Sequence, residues 1–149
     1  MKPVQTAAGV VGGAFVLVGV LGFIPGITSH YDQLTFAGHH SGALLFGLFA
    51  VSVLHNLVHL AFGVLGLVMR RTPGAARLFL VVGGGLYVLL WVYGSAVGEQ
   101  TRANVLPINT ADNWLHLGLG AAMVLLGVGL TAAERARGDR TSAGRTPNS

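Results

Sequence analysis

Two histidines and an asparagine lie within a strongly apolar part of the chain. In the stretch HNLVHLAFG, His55 and His59 are four positions apart, and Asn56 lies between them. Side chains at this spacing lie on one face of a helix, so both imidazoles can approach the same ligand. Two histidines at i and i+4 are a known arrangement for binding one metal ion. The stretch therefore predicts either a ligand site or a polar contact between buried helices.

A second stretch near the end of the chain repeats this pattern. DNWLHLGLG aligns with HNLVHLAFG so that Asp112 matches His55 and His116 matches His59. Asn, His and Gly at these intervals suit a helix interface, since glycine permits close backbone approach and the polar groups can then bond across the gap. The predicted helix-interface motif comprises Asn56, His59, Gly63, Asn113, His116 and Gly120.

The same pair of stretches supports a prediction of metal or haem binding. If the two motif helices are neighbours, their side chains converge on one site, with Asn56 and Asn113 as supporting groups. By ligand type such a site suits Zn, Fe or Mn. In a variant of this prediction, His59 and His116 ligate a haem iron from opposite sides. The predicted metal ligands are His55, His59, Asp112 and His116.

Composition indicates a membrane protein. Of 149 residues, 52% are hydrophobic and only 9% are charged, and the mean hydropathy is +0.67. Soluble domains carry closer to about a quarter charged residues. The absence of cysteine excludes disulfides, thiolate metal sites and cysteine nucleophiles.

Four apolar runs predict an all-α fold, an integral membrane four-helix bundle. The predicted spans are residues 4–24, 54–69, 78–97 and 114–133, with a possible interfacial segment at 41–53. Together they form one domain over residues 1–133. Residues 134–149 are basic and poor in apolar side chains, which predicts a disordered cytoplasmic tail.

An internal repeat predicts how the helices are arranged. VVGGAF, beginning at Val10, resembles VVGGGL, beginning at Val81, so a glycine-marked helix precedes each histidine motif. This order is expected from duplication of a two-helix hairpin. Because each hairpin crosses the membrane twice, the copies form a parallel repeat about an axis along the membrane normal.

The basic residues predict the orientation in the membrane. Lys2, the segment RRTPGAAR and the C-terminal tail flank the apolar runs. By the positive-inside rule, both termini and this middle loop lie on the cytoplasmic side of a multi-pass protein of the cytoplasmic membrane. The expected partners are the lipid bilayer and either a second copy of the chain or another membrane protein. Nucleic acid is not expected, because the cations mark topology.

The motifs also carry a resemblance to a known family. HNLVHL and NWLHLGLG, together with glycine-rich first and third spans and a basic tail, resemble the bacterial membrane family catalogued as domain of unknown function 4383. The resemblance covers residues 3 to 133. It implies a four-helix integral membrane protein and supplies no catalytic residues. The helix count and hairpin pattern are more distantly similar to DoxX-like membrane proteins.

Two functions are compatible with these observations. The first is a structural, accessory or interaction role in the cytoplasmic membrane, with the Asn/His motif packing the helices. The alternative is a metal- or haem-binding redox or ion-handling protein that uses the four proposed ligands. Nothing in the sequence indicates an enzyme, since no serine lies in a nucleophile context and no glycine-rich loop precedes a soluble helix.

Overall fold

The computed structural model describes residues 1–97, 99 and 101–143, with the backbone alone for 139 and 141–143. Four helices dominate it. They are α1 (Pro3–Leu21), α2 (Val53–Met69), α3 (Pro73–Ala96) and α4 (Thr110–Ala143). Helix α1 packs chiefly against α2, and α3 packs chiefly against α4. The described chain is therefore an all-α bundle made of two helix pairs.

Three helices are long and apolar enough to cross a membrane. They are α1, α3 and the part of α4 from Thr110 to Gly138, whereas α2 is a shorter apolar helix of 17 residues. Large apolar side chains on the outside of the bundle are exposed, with Leu89 63% and Leu125 72% accessible. A surface of this kind is suited to lipid. The protein is an integral membrane protein.

The core lies where the helix pairs meet. Its buried apolar side chains come from α1, α3 and α4 and include Phe15, Leu80, Tyr87 and Met123. Within each pair, glycines bring the backbones together. A Cβ at Gly12 would lie 2.9 Å from the Gly63 carbonyl oxygen, so glycine is required for this approach.

A small antiparallel sheet covers the end of the bundle opposite the N-terminus. Its strands are β1 (Thr28–Ser29), β2 (Leu44–Leu45) and β3 (Phe49–Ala50), in the order β1-β2-β3. A 3₁₀ helix, Tyr31–Gln33, lies between β1 and β2. Segment 41–53, for which the sequence suggested an interfacial or re-entrant piece, contains β2, β3 and the turn between them, and its last residue begins α2.

The helix boundaries differ from the predicted spans at several points. Helix α1 ends at Leu21, and α3 begins at Pro73, where Thr72 caps it by accepting from the Ala75 amide at 3.3 Å. Proline is favourable in the first helical turn because its missing N–H is not needed there.

The C-terminal segment also differs from the prediction. Residues 134–143, expected in a disordered tail, continue α4. Alanine, arginine and glutamate are good helix formers, so a span that is already helical extends through them. The rest of the predicted tail, 144–149, lies outside the described residues.

The packing contacts follow a register one residue away from the sequence alignment. The alignment paired Gly12 with Gly83, but the glycine of α3 that meets α4 as Gly12 meets α2 is Gly84. A Cβ at Gly84 would lie 2.7 Å from the Gly120 carbonyl oxygen. Runs of two and three glycines can be aligned in more than one register, and only the contacts distinguish them. The duplication itself stays a prediction.

Candidate metal centre

The N-termini of α2 and α4 place the first polar side chains of the motifs. Ser52 caps α2, and its Oγ accepts from the His55 amide at 3.1 Å. Asn109 precedes α4, and its Oδ1 accepts from the Asp112 amide at 2.9 Å. Capping fixes where each helix starts and hence which face each later residue occupies. His55 and Asp112 are therefore both the third residue after a capping side chain.

Three histidines converge within the first two turns after these caps. One ring nitrogen from each of His55, His59 and His116 lies within 4.8 Å of the others. The three residues are only 5%, 9% and 4% exposed. Ring centroids are 4.5 Å apart for His55 and His59 and 6.4 Å apart for His55 and His116. We call these three side chains the histidine cluster.

The histidine cluster contains polar atoms that the described residues do not satisfy. The Nδ1 atoms of His55, His59 and His116 are all buried without a hydrogen-bond partner in the described part of the chain. The His55 ring also interacts with backbone groups of Ala50 and Pro107. A buried unsatisfied polar atom costs about 1–3 kcal/mol, so three of them on neighbouring rings call for an explanation.

Two aromatic rings form the wall behind the cluster. Phe15 of α1 lies 5.6 Å from His59, and Tyr87 of α3 lies 5.2 Å from His116 in an edge arrangement, both measured between ring centroids. Phe15 and Tyr87 also contact each other at 5.2 Å. Each aromatic ring lies three residues after the glycine that meets the motif helix. These contacts restrict the rotation of the imidazoles.

Asp112 is buried beside the cluster and also binds backbone. Its Oδ2 accepts from the Ala50 amide at 2.9 Å and from the Asn109 amide at 3.1 Å. The group of converging ligand atoms contains the three histidines without Asp112. The observed contacts of this carboxylate thus attach β3 to the start of α4.

The two asparagines of the motif face glycines of the neighbouring helices. Asn113 lies against Gly94. Its amide is oriented so that both polar atoms have partners: Nδ2 donates to the Trp91 carbonyl at 3.1 Å, and Oδ1 accepts from Ser95 Oγ at 3.0 Å. Asn56 lies against Gly22, but neither of its amide atoms has a partner among the described residues. Asn113 therefore bonds between helices, whereas the contact of Asn56 is one of packing.

A cavity of about 280 Å³ opens directly beside the histidine cluster. Its walls come from α1, α2, α3, α4 and the β2–β3 region, and most of the lining is apolar. The polar side chains are concentrated in one part of the lining, namely His55, His59, His116, Asp112 and Tyr87. The cluster thus faces a space that a ligand could occupy.

The dimensions of the cluster are close to those of a three-histidine metal site. Zinc binds imidazole nitrogen at about 2.0–2.1 Å, which places the nitrogens of a tetrahedral site about 3.4 Å apart. The observed nitrogens lie within 4.8 Å of one another, so binding an ion would bring them closer by at most about 1.4 Å. A tetrahedral ion with three protein ligands keeps one open position.

Sequence reasoning singled out the three histidines but not the aromatic wall or the cavity. Phe15 and Tyr87 belong to apolar helices in which aromatic residues are ordinary core residues. A signal existed in the glycine pattern, because the register that pairs Gly12 with Gly84 also pairs Phe15 with Tyr87. The sequence alignment, which paired Gly12 with Gly83, was one residue away from this register and did not pair Phe15 with Tyr87.

Comparison with known proteins finds a matching family for the chain but no matching individual protein. The family model described as Domain of unknown function (DUF4383) matches residues 5–129. No curated protein and no solved structure shows a significant match to the chain.

Proposed function

Since the chain belongs to the family described as Domain of unknown function (DUF4383), we propose its function from its site: it binds a divalent transition-metal ion of the zinc type within the membrane. His55, His59 and His116 are the ligands. The observation that carries the proposal is the convergence of three buried imidazoles whose Nδ1 atoms have no partner among the described residues. A bound ion would satisfy one nitrogen of each ring.

The ligand chemistry favours such an ion over the other candidates. Neutral imidazole suits Zn, Cu, Fe and Ni, whereas Mg and Ca prefer oxygen ligands. Haem fits less well, because Phe15 and Tyr87 pack against the imidazoles where a porphyrin would need space. The Asp112 carboxylate offsets part of the charge of a divalent ion from the edge of the cavity. It acts there through its position and is not one of the three ligands.

The proposed physiological role is an accessory one in the cytoplasmic membrane. The site lies near the end of the bundle that the sheet covers, and the basic residues gather at the other end. With both termini cytoplasmic, the ion would therefore be held toward the outer side of the membrane. Such a protein handles an ion or supports a redox partner, either as a homo-oligomer or with another membrane protein.

The proposal is tested by the metal content of the purified chain. Protein in detergent is loaded with Zn²⁺, freed of excess metal by desalting and assayed by mass spectrometry of the elements. Wild type should retain about one ion per chain, and His55→Ala, His59→Ala and His116→Ala should each retain far less. His40→Ala is the matched control, because His40 is an exposed loop residue whose ring contacts only His39 among the rings of the described residues.

Circular dichroism and gel filtration establish that each variant is folded. The proposal is wrong if folded wild type retains no Zn²⁺, Co²⁺, Cu²⁺ or Fe²⁺. It is equally wrong if the control loses as much metal as the cluster variants.

A further inference from the structure

The cavity beside the histidine cluster opens among apolar side chains on the outside of the bundle, and not toward solvent as a cleft in a soluble protein does. The exposed residues of its lining, which form its mouth, are Val10, Ala14 and Leu115 on α1 and α4 and Phe46 in the turn between β2 and β3. Val10 is 67% exposed and Leu115 is 46% exposed, on the outside of apolar helices. The mouth therefore faces lipid.

The opposite side of the cavity is closed by the β2–β3 region. Leu45, Phe49 and Val51 line it there, and Asp112 fastens β3 to α4 through the Ala50 amide. Leu45 and Val51 are only 2% and 1% exposed. This cover separates the cluster from the aqueous phase at that end of the bundle. A ligand reaching the histidines thus comes from the membrane.

The lining also specifies the chemistry of the ligand. Phe15, Phe46, Phe49 and Tyr87 contribute aromatic rings, which favour a flat aromatic body by edge and offset contacts. The unpartnered nitrogens of the histidine cluster lie on one side of the cavity, so a ligand needs its hydrogen-bonding group at that end and an apolar body elsewhere. Small-molecule sites span about 300–1,000 Å³, and this cavity of about 280 Å³ lies just below that range, so it suits a small ligand.

We propose that this cavity binds a lipid-soluble phenol or aromatic alcohol of one or two rings, which enters laterally from the membrane between α1 and α4. Its oxygen contacts the histidine cluster, and its rings pack on Phe15 and Tyr87. With a metal ion held by the three histidines, the same oxygen would be next to that ion. The inference rests on the proposed function in that the same three histidines receive the ligand.

Acyl chains of the bilayer are the alternative occupants, but they explain less. An acyl chain would fill the apolar part of the cavity and leave the imidazole nitrogens unsatisfied. An aromatic ligand with one oxygen packs on the aromatic side chains of the cavity and also gives the histidine cluster a hydrogen-bonding partner.

The test uses 2-naphthol and 2-methylnaphthalene as probes, since the second replaces the hydroxyl with a methyl group of similar size. Full-length protein in lipid nanodiscs is dialysed against each probe, and empty nanodiscs give the partition background. 2-Naphthol should bind saturably at about one per chain, and at least about 10-fold more tightly than 2-methylnaphthalene, the effect of one buried hydrogen bond. Equal binding of the two probes, or no saturable binding, would overturn the proposal.

Two variants of α1 test the lateral entrance. Ala14→Phe fills the mouth and should weaken 2-naphthol binding by about 10-fold or more. Leu17→Phe is the control, because Leu17 is 58% exposed on the same helix but does not line the cavity. An unchanged affinity in folded Ala14→Phe, or an equal loss in both variants, contradicts a binding site that reaches the mouth between α1 and α4.

Metal content measured on the same preparations separates the two proposals. Retained Zn²⁺ without saturable 2-naphthol binding overturns only the cavity proposal. Absence of metal with 2-naphthol binding that is lost in His59→Ala overturns only metal binding. A change in the visible spectrum of Co²⁺-loaded protein on adding 2-naphthol, but not 2-methylnaphthalene, supports both.

Discussion

At the scale of single residues, Asp112 shows how one buried carboxylate can act beside a site without belonging to its ligands. It is 3% exposed, and its Oδ2 accepts from the amides of Ala50 and Asn109. A carboxylate with two amide donors is an ordered anchor between the sheet and α4. Its neighbours His55, His59 and His116 instead carry the unpartnered nitrogens.

Replacement of Asp112 distinguishes an anchor from a ligand. Asp112→Ala leaves the buried Ala50 amide without its acceptor, so we expect the free energy of unfolding to fall by about 1–3 kcal/mol. Asp112→Asn keeps one acceptor oxygen and should lose less. Thermal denaturation followed by circular dichroism in detergent measures the difference.

The metal content of the same variants completes this prediction. Zn²⁺ retention by Asp112→Asn should equal that of wild type, because the three histidines suffice as ligands. Loss of the ion in folded Asp112→Asn would return Asp112 to the ligand set.

At the scale of elements, close glycine contacts define the two helix pairs. Gly63 lies so near α1 that a Cβ there would be 2.6 Å from the Val16 amide nitrogen and 2.7 Å from the Gly12 carbonyl oxygen. Both are backbone atoms, which cannot move aside as the end of a flexible side chain can. Helix α2 holds His55 and His59, so any separation of α1 from α2 also moves the cluster.

Substitution at neighbouring glycines tests this packing. Gly12→Ala should lower the free energy of unfolding by about 1–3 kcal/mol, since the added methyl group overpacks the α1–α2 contact. Gly13→Ala is the matched control, because a Cβ at Gly13 would meet nothing within 4 Å. Its stability should equal or exceed that of wild type, as alanine favours helix. Equal destabilisation of both variants, measured by thermal denaturation, would contradict the α1–α2 contact.

The same elements show what the sequence can and cannot predict. Four helices and the helical register of HNLVHL followed from hydropathy and the 3.6-residue period, which is why His55 and His59 were correctly placed on one helix. The sheet was not predicted, since each strand has only two residues and leaves no alternation to detect. The cavity arises from four helices and the sheet together, and no local pattern of residues encodes such a space.

At the scale of the whole molecule, charge is distributed unevenly between the two ends of the bundle. The Lys2 ammonium lies 3.7 Å from the Glu134 carboxylate, and the Gln5 amide donates to the Arg70 carbonyl at 3.0 Å. These contacts place the start of α1, the end of α2 and the middle of α4 at one end. The cations there include Lys2, Arg70, Arg71, Arg77 and Arg135. The sheet and the histidine cluster lie toward the other end.

This asymmetry predicts the orientation by the positive-inside rule, and the absence of cysteine makes it simple to test. Single cysteines are introduced as Gly74→Cys, in the first turn of α3, and as Phe36→Cys, where the native side chain is 66% exposed in the loop before α2. In intact cells a membrane-impermeant maleimide should label only Phe36→Cys, since the positive-inside rule predicts that its loop faces outward. In inverted membrane vesicles it should label only Gly74→Cys. The cysteine-free wild type gives the background in both preparations, and the reverse pattern of labelling would place the histidine cluster toward the cytoplasm.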